Sequence, residues 1–183
     1  PDPGPADFKE CVEVCGLAGR PAEARQVLEQ AMERGSDDDA TWARYIAACG
    51  KNRRINTALE AYETLRARRT PGAKVAAAVL KLLAFERDKR AAQFLRQVEA
   101  RDLPLNIECY TWAIRALRDD WKLCLELLAR ARRDGHPVTG TACAAALEAL
   151  AMAGEQGLAA ELLDEMKRRG IPLADHGAVA WLR

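Results

Sequence analysis

The chain has 183 residues, 49% of them hydrophobic, and its 28 basic and 27 acidic residues leave a formal net charge of +1. This length suffices for one ordinary domain or about five helical repeats, and the apolar content suffices for a continuous core. No uninterrupted apolar run reaches the roughly 18 residues that span a bilayer, so membrane insertion is not expected. The first residues, 1–7, lack the pattern of a secretory signal. Because the chain does not begin with Met, we expect it to be part of a longer protein whose targeting peptide is not visible.

One sequence pattern recurs four times along the chain. Each copy is an apolar helical run, then a basic cluster, then a short turn that ends in a proline. The prolines lie 33, 33 and 35 residues apart, at Pro71, Pro104, Pro137 and Pro172. A fixed period in this range is typical of helical repeat arrays. The pattern therefore predicts an all-α fold of stacked helix–turn–helix repeats without strands.

Each predicted repeat holds two short amphipathic helices. In the first repeat Pro21 is expected to open the second helix, where its missing N–H costs nothing. In the second repeat helices are expected near 41–50 and 55–68. The third and fourth repeats are about two residues short, so we expect shortened inter-helix turns near 86–88 and 119–121. The predicted units are an N-terminal extension at 1–4, five repeats at 5–38, 39–73, 74–106, 107–139 and 140–174, and the start of a truncated sixth at 175–183.

The six cysteines do not form the pattern of a disulfide framework. They fall on predicted helices, where small buried hydrophobic residues are the simplest interpretation. Cys11 and Cys15 share one helix face and resemble half of a metal site, but no second Cys or His pair stands at ligand spacing. We therefore predict no metal and no other cofactor, and the unpaired thiols favour a reducing compartment.

Nothing in the sequence predicts a catalytic centre. The two histidines, His136 and His176, fall in predicted loops between repeats, and neither has a Cys or Ser nucleophile nearby with an orienting acid. The chain has no phosphate-binding glycine loop and no zinc-deaminase pattern. We expect neither an enzyme nor a small-molecule substrate.

The fifth repeat resembles a pentatricopeptide repeat. The likeness lies in residues 149–155 (ALAMAGE) and 159–172 (AAELLDEMKRRGIP), and residues 41–65 and 109–128 show it less specifically. Tetratricopeptide repeats remain the nearest alternative family. The resemblance implies a right-handed α-solenoid that binds single-stranded RNA in a mitochondrion or plastid. It also implies that first helices line the RNA groove and that each repeat offers two residues to one base, which is physically sensible for unstacked bases.

The resemblance places the base-reading sites early in each first helix and at the end of the loop before the next repeat. The pairs are Lys9 with Asp38, Ala43 with Ala73, Ala78 with Asn106, Thr111 with Thr139, and Ala144 with Ala174. Alanine has no side-chain donor or acceptor. Of these pairs, one alone is polar at both sites with a residue the family favours in the first helix, Thr111 with Thr139. We therefore expect shape and phosphate contacts to dominate over sequence-specific reading.

The charge is unevenly distributed. Residues 39–139 contain 20 basic and 12 acidic residues and carry a net charge of +8, whereas residues 5–38 carry −4 and residues 140–174 carry −2. A basic central stretch attracts a phosphate backbone even in a nearly neutral chain. The alternative is that these charges only solvate the outer helix faces. The best candidates for phosphate contact are Lys51, Arg53 and Arg54, followed by Arg66, Arg68, Arg69, Lys74 and Lys81.

Aromatic residues on first helices have two possible roles. Trp42, Tyr110 and Trp112 could stack on bases, but their apolar neighbours and repeat-equivalent placement favour core packing. Trp121 is expected near a turn, where a partner protein or a base could reach it.

Two functions remain open at this point. The first is an RNA-binding array that grips structured or weakly specified RNA, such as ribosomal RNA, within an organelle ribonucleoprotein. The second is a helical scaffold subunit of a large organelle assembly, whose partners are neighbouring proteins and whose base-reading sites have degenerated. The basic middle favours the first, and the alanine reader sites favour the second.

Overall fold

The computed structural model describes residues 5–101, 103 and 105–172. Within these residues it contains ten helices and no strand. In chain order the helices are α1 (Pro5–Leu17), α2 (Pro21–Glu33), α3 (Asp39–Lys51), α4 (Ile55–Arg68), α5 (Ala73–Phe85), α6 (Arg90–Glu99), α7 (Ile107–Ala116), α8 (Trp121–Arg133), α9 (Gly140–Met152) and α10 (Gln156–Arg168). None of these helices is long and apolar enough to cross a membrane.

The helices form two layers. The odd-numbered helices lie side by side in one layer, each packed against the next from α1 to α9. Each even-numbered helix packs against its own odd-numbered partner, and α2, α4, α6 and α8 also pack against the odd-numbered helix that follows. One helical hairpin cannot bury both its faces, so each pair covers the next. The predicted all-α solenoid is confirmed. Each of the five predicted repeats contains two helices, and the repeat bounds themselves stay a prediction.

Small residues let the odd-numbered helices approach closely. A Cβ placed on Gly16 of α1 would lie 2.4 Å from the Ala48 Cβ of α3, and one on Gly50 would lie 2.9 Å from a methyl carbon of Leu82 on α5. Gly16 and Gly50 stand 34 residues apart, one repeat length, and so occupy equivalent positions. The even-numbered helices contact one another through longer side chains instead, as in the edge-to-face pair of Tyr62 and Phe94 at 4.8 Å.

The core runs without a break along the stack. Its largest fully buried side chains come from almost every repeat and include Trp42, Leu65, Leu80, Ile114 and Leu150. Buried residues of one helix, such as Trp42 and Ile46 or Leu80 and Leu83, lie four or three residues apart, which places them on one helix face. Helix ends are fixed locally: Gly170, just past α10, has φ of 65°, the left-handed conformation that is common for a glycine that ends a helix.

The expected shortening of the inter-helix turns is wrong. The turns at 86–89 and 117–120 have four residues each, whereas 18–20, 52–54 and 153–155 have three. The missing residues are lost from helices instead, since α6 and α7 have 10 residues each and the other helices have 13 or 14. Carboxylates fix where the following helices begin: Asp88 accepts the Arg90 N–H at 2.9 Å, and Asp120 accepts the Leu123 N–H at 3.1 Å.

The cysteines are all free thiols, and most of them are buried. Cys49, Cys109, Cys124 and Cys143 lie in the core as predicted. Burial raises the pKa of Cys109 and of Cys143 to about 11, and that of Cys124 to about 12. Cys11 departs from the prediction, because it is exposed on α1.

We expect Cys11 to be the first thiol to react with a maleimide or disulfide reagent in the folded protein near neutral pH. The core cysteines are inaccessible, and their raised pKa values keep the reactive thiolate scarce. Mass spectrometry of briefly labelled protein measures the order. The Cys11→Ser variant should lose the fast labelling, and rapid modification of Cys109 or Cys124 in folded protein would contradict the packing described above.

Replacing Gly16 with Ala is expected to lower the free energy of unfolding by about 1–3 kcal/mol, because the added methyl group overlaps α3. The direction is opposite to intrinsic helix propensity, which favours Ala over Gly by about 1 kcal/mol. Urea unfolding followed by circular dichroism measures the change.

Gly157 supplies the matched control for this substitution. It lies in the first turn of α10, and a Cβ there meets nothing within 4 Å. Gly157→Ala should leave stability unchanged or raise it slightly. Equal effects of the two substitutions would show that the α1–α3 approach does not limit the packing.

Candidate nucleic-acid interface

A groove of about 640 Å³ crosses the exposed side of α3, α5 and α7. Its floor is made of small residues, namely Ala40, Ala43, Ala47, Gly50, Ala77 and Ala78. The lining residues of α5 follow one helical stripe, with Lys74, Ala78, Lys81 and Phe85 separated by four, three and four residues. Since such spacing keeps side chains on one face, the odd-numbered layer presents a continuous surface there.

The groove carries more positive than negative charge. Lys51, Lys74 and Lys81 are exposed on its walls, and three of the predicted phosphate contacts thus come together. Glu86 and Glu108 lie in the same lining and oppose them in part. Arg44 also lines the groove, but it forms an ion pair with Glu13 of α1.

Arg53 and Arg54, the other two favoured phosphate contacts, lie outside this groove. They occupy the turn between α3 and α4, where Arg53 takes the left-handed backbone conformation with φ of 55°. Both line a shallow depression together with Arg90. The Arg53 guanidinium also lies 4.0 Å from the Glu86 carboxylate, so its charge is partly balanced.

The remaining candidates for phosphate contact lie on α4 and just after it. Arg66 forms an ion pair with Glu63 one turn before it. Arg69 forms an ion pair with Asp39 and donates to the Asp37 carbonyl at 3.0 Å. Arg68 is exposed at the end of α4. The eight predicted phosphate contacts therefore occupy three separate places, and the groove holds the lysines alone.

The first predicted base-reading pair lies in direct contact. The Lys9 ammonium is 2.6 Å from the Asp38 carboxylate, so the two sites of one repeat are neighbours in space. Asp38 also caps α3 and accepts from the Thr41 N–H at 2.9 Å. Burial raises the pKa of Asp38, but hydrogen bonds from Lys9 and Thr41 outweigh it and hold the pKa below its usual value.

Polar residues at the other predicted base-reading sites have structural partners. Asn106 caps α7 by accepting from the Cys109 N–H at 2.9 Å, and Thr139 caps α9 by accepting from the Ala142 N–H at 3.2 Å. The Thr111 hydroxyl donates to the Ile107 carbonyl at 2.8 Å, and the side chain is buried. Helix capping and back-bonding thus account for these three side chains without a base.

The alanines at these sites are spread along the array. Ala43 and Ala78 line the groove floor. Ala73 opens α5, and its carbonyl accepts a weak hydrogen bond from the Cys109 thiol at 3.3 Å. Ala144 is half-buried on α9, and Ala174 lies outside the described residues. The base-reading assignment stays a prediction.

An aromatic pair closes one end of the groove. The Phe85 and Trp112 rings are 5.4 Å apart between centroids and tilted by 41°. Phe85 is 60% exposed, and it is the one aromatic ring among the four large apolar side chains of the described residues that are 60–62% exposed. Lys81 lies 5.2 Å from the Trp112 centroid, and Arg115 lies 5.6 Å from the Phe85 centroid, both within cation–π range.

Sequence reasoning missed Phe85 and Arg115 as functional candidates. The available signal was spacing, because Phe85 falls four residues after Lys81 and Arg115 falls three after Trp112, on the exposed stripes of α5 and α7. Charge counting by repeat does not find such a cluster, since it ignores which face a residue occupies.

Of the three aromatic residues expected to pack in the core, Trp42 and Tyr110 do so. Trp42 is 1% exposed and its indole N–H donates to Asp37 at 3.0 Å, while Tyr110 is 2% exposed and donates to Asp134. Trp112 differs, because it is only partly buried and borders the groove. Trp121 opens α8 and packs partly against the core.

Among the described residues, no group of three or more His, Cys, Asp or Glu side chains is placed to hold a metal ion. The ring nitrogen Nε2 of His136 lies 2.9 Å from the Leu105 carbonyl, a contact between successive repeat loops. His176 falls outside the described residues.

The chain matches known proteins in structure. No protein-family model and no curated protein sequence matches the chain. The PPR domain of Arabidopsis thaliana protein-only RNase P 1, solved in complex with tRNA, superimposes with a TM-score of 0.70 at 14% identity, over 93% of this chain and 92% of that one.

The pentatricopeptide repeat protein PPR10, solved with an 18-nucleotide psaJ RNA element, superimposes with a TM-score of 0.66 at 18% identity. A crystal structure of PPR10 from maize superimposes with a TM-score of 0.51 at 17% identity. The match covers 94% of this chain but 26% of the RNA-bound PPR10, so the chain spans about a quarter of that protein. With the two-layer array and its 33- to 35-residue period, these likenesses show that the chain has the helical-repeat fold of pentatricopeptide repeat proteins.

Proposed function

We propose that the chain is a non-enzymatic RNA-binding module that holds single-stranded or structured, weakly specified RNA in the groove formed by α3, α5 and α7. The observation that carries the proposal is the convergence of Lys51, Lys74 and Lys81 on one groove beside the exposed ring of Phe85. Lysines neutralise phosphates along a nucleic-acid backbone, and aromatic faces accept bases irrespective of sequence.

Structural likeness supports the same class of ligand. PPR10 and the PPR domain of protein-only RNase P 1 were both solved in complex with RNA. The acidic first and fifth repeats flank the basic middle, so RNA is expected to enter at α3–α7 rather than along the whole array. Organelle ribonucleoproteins, with ribosomal RNA as one ligand, remain the proposed setting in a mitochondrion or plastid.

A protein-binding scaffold is the second candidate function. The observation that favours it is the alanine-rich groove floor with the exposed Phe85 at one end, which would also accept an apolar helix of a neighbouring subunit. Such an interface would not require the three lysines. Salt dependence therefore separates the two candidates.

Changing Lys51, Lys74 and Lys81 together to Ala is expected to weaken RNA binding by about tenfold at low salt. The slope of log affinity against log salt should also fall by roughly 2, because three phosphate contacts are lost. Fluorescence polarisation with labelled single-stranded RNA and with a structured ribosomal RNA fragment, each titrated at several salt concentrations, measures both quantities.

A control triple variant, Arg96→Ala, Arg133→Ala and Arg168→Ala, removes the same charge from exposed positions on α6, α8 and α10. It should change affinity by less than about threefold, since these residues lie away from the groove. Equal losses in both variants would refute the groove as the binding site. Absence of RNA binding by the unmodified chain at low salt would refute the function and favour the scaffold.

Affinity is expected to depend little on RNA sequence. Ala43 and Ala78 offer no donor or acceptor to a base edge, so permuted single strands of equal length should differ by less than about tenfold. Competition binding among random and homopolymeric RNAs measures the spread. A preference of about a thousandfold for one sequence would show that other side chains read the bases.

A further inference from the structure

The cluster of Lys81, Phe85, Trp112 and Arg115 is chemically distinct from the rest of the groove. It unites two aromatic rings and two cations from neighbouring helices, α5 and α7. Lys81 and Arg115 form no ion pair with a carboxylate among the described residues. Their positive charges instead lie against ring faces, at 5.2 Å for Lys81 over Trp112 and 5.8 Å for Arg115 over Trp112.

Phe85 ends α5 as Leu17 ends α1 and Met152 ends α9, and the three are about equally exposed, but of these three Phe85 alone presents an aromatic ring. Neighbouring residues of α5 such as Leu82 and Leu83 are buried, so the core is complete without this ring. The Phe85 ring contacts Trp112 and Arg115 yet keeps 60% of its surface open. A free aromatic face beside cations is the arrangement that binds a base and its phosphate in single-stranded nucleic-acid sites.

We infer that this cluster is a stacking site for one unpaired RNA base, with the open face of Phe85 as the platform. The inference rests on the proposed RNA-binding function and assigns it a specific subsite. Arg115 lies 5.6 Å from the Phe85 centroid and Lys81 lies 5.2 Å from the neighbouring Trp112 centroid, so the phosphates next to the stacked base meet positive charge. The Trp112 ring lies next to Phe85, with the two centroids 5.4 Å apart.

Charge favours RNA over a protein at this cluster. An apolar segment of a neighbouring subunit would cover the rings but would strip water from Lys81 and Arg115 without supplying a counter-charge. A nucleotide supplies both a π face and an anion. Glu108 lies in the groove lining near Trp112 and opposes some of this charge, so the base rather than the phosphate is expected to provide most of the binding at this point.

The test compares Phe85→Leu with Phe85→Tyr in the full chain. Leucine keeps the apolar bulk but removes the π face, whereas tyrosine keeps the ring. With single-stranded RNA, Phe85→Leu should weaken binding by about 5- to 100-fold, which is the loss found when a base-stacking ring is removed. The Phe85→Tyr variant should bind within about twofold of the unmodified chain. Because Phe85 is exposed, both variants should keep the helical circular dichroism and unfolding midpoint of the unmodified chain.

Two further readouts separate stacking from charge. The slope of affinity against salt should be unchanged in Phe85→Leu, because no phosphate contact is removed. A sugar–phosphate oligomer of the same length without bases should bind Phe85→Leu and the unmodified chain equally. Stacking should also quench tryptophan fluorescence, and Trp112→Phe should remove most of that quenching.

The outcomes distinguish this inference from the function on which it rests. If base-bearing RNA binds Phe85→Leu as tightly as the unmodified chain while the lysine triple variant still loses affinity, the stacking site is refuted and the RNA-binding function stands. An equal loss on the oligomer without bases also refutes stacking, because the ring would then only position the cations. If the unmodified chain binds no RNA at low salt, both proposals fail and a protein partner is indicated for the cluster.

Discussion

The close approach of the odd-numbered helices is the constraint on which the rest of the structure depends. A helix backbone can come this near to its neighbour only where side chains are absent or small, and Gly16 against Ala48 shows how little space is left. The even-numbered helices, separated by larger side chains such as Tyr62 and Phe94, hold a looser outer layer. The odd-numbered helices therefore form one closely packed layer. On its surface, residues of successive repeats lie side by side although they are far apart in sequence.

Small residues also form the floor of the groove. Ala43 and Ala78 occupy sites where the resemblance to pentatricopeptide repeats implies base-reading side chains, and in the folded chain they form a smooth floor. The lysines and the Phe85–Trp112 ring pair border this floor. A surface of this kind suits a ligand recognised by its backbone charge and its flat faces rather than by its hydrogen-bonding edges.

Several polar residues that resemble readers are explained by helix physics. Asp38, Asn106 and Thr139 each precede a first helix and each accept a backbone N–H from its first turn. The position that ends one repeat is thus the N-cap of the next helix, and Asp, Asn and Thr are the residues that caps favour. Helix capping and base reading favour the same residue types at the same position, so the sequence does not distinguish the two roles. The hydrogen bonds show that these three residues act as N-caps.

The sequence by itself determined the repeat period, the all-α solenoid, the start of α2 at Pro21 and the buried positions of Trp42 and Tyr110, because helical periodicity, proline geometry and apolar spacing are local properties of the chain. Tertiary structure alone decided that Lys51, Lys74 and Lys81 meet in one groove while Arg66 and Arg69 are engaged in ion pairs elsewhere. It also decided that the short repeats lose residues from α6 and α7 and keep four-residue turns, and that Phe85 meets Trp112 across two helices. Each of these outcomes depends on which faces of separate helices come together, and that information is carried by the packing of neighbours rather than by the pattern along any one helix.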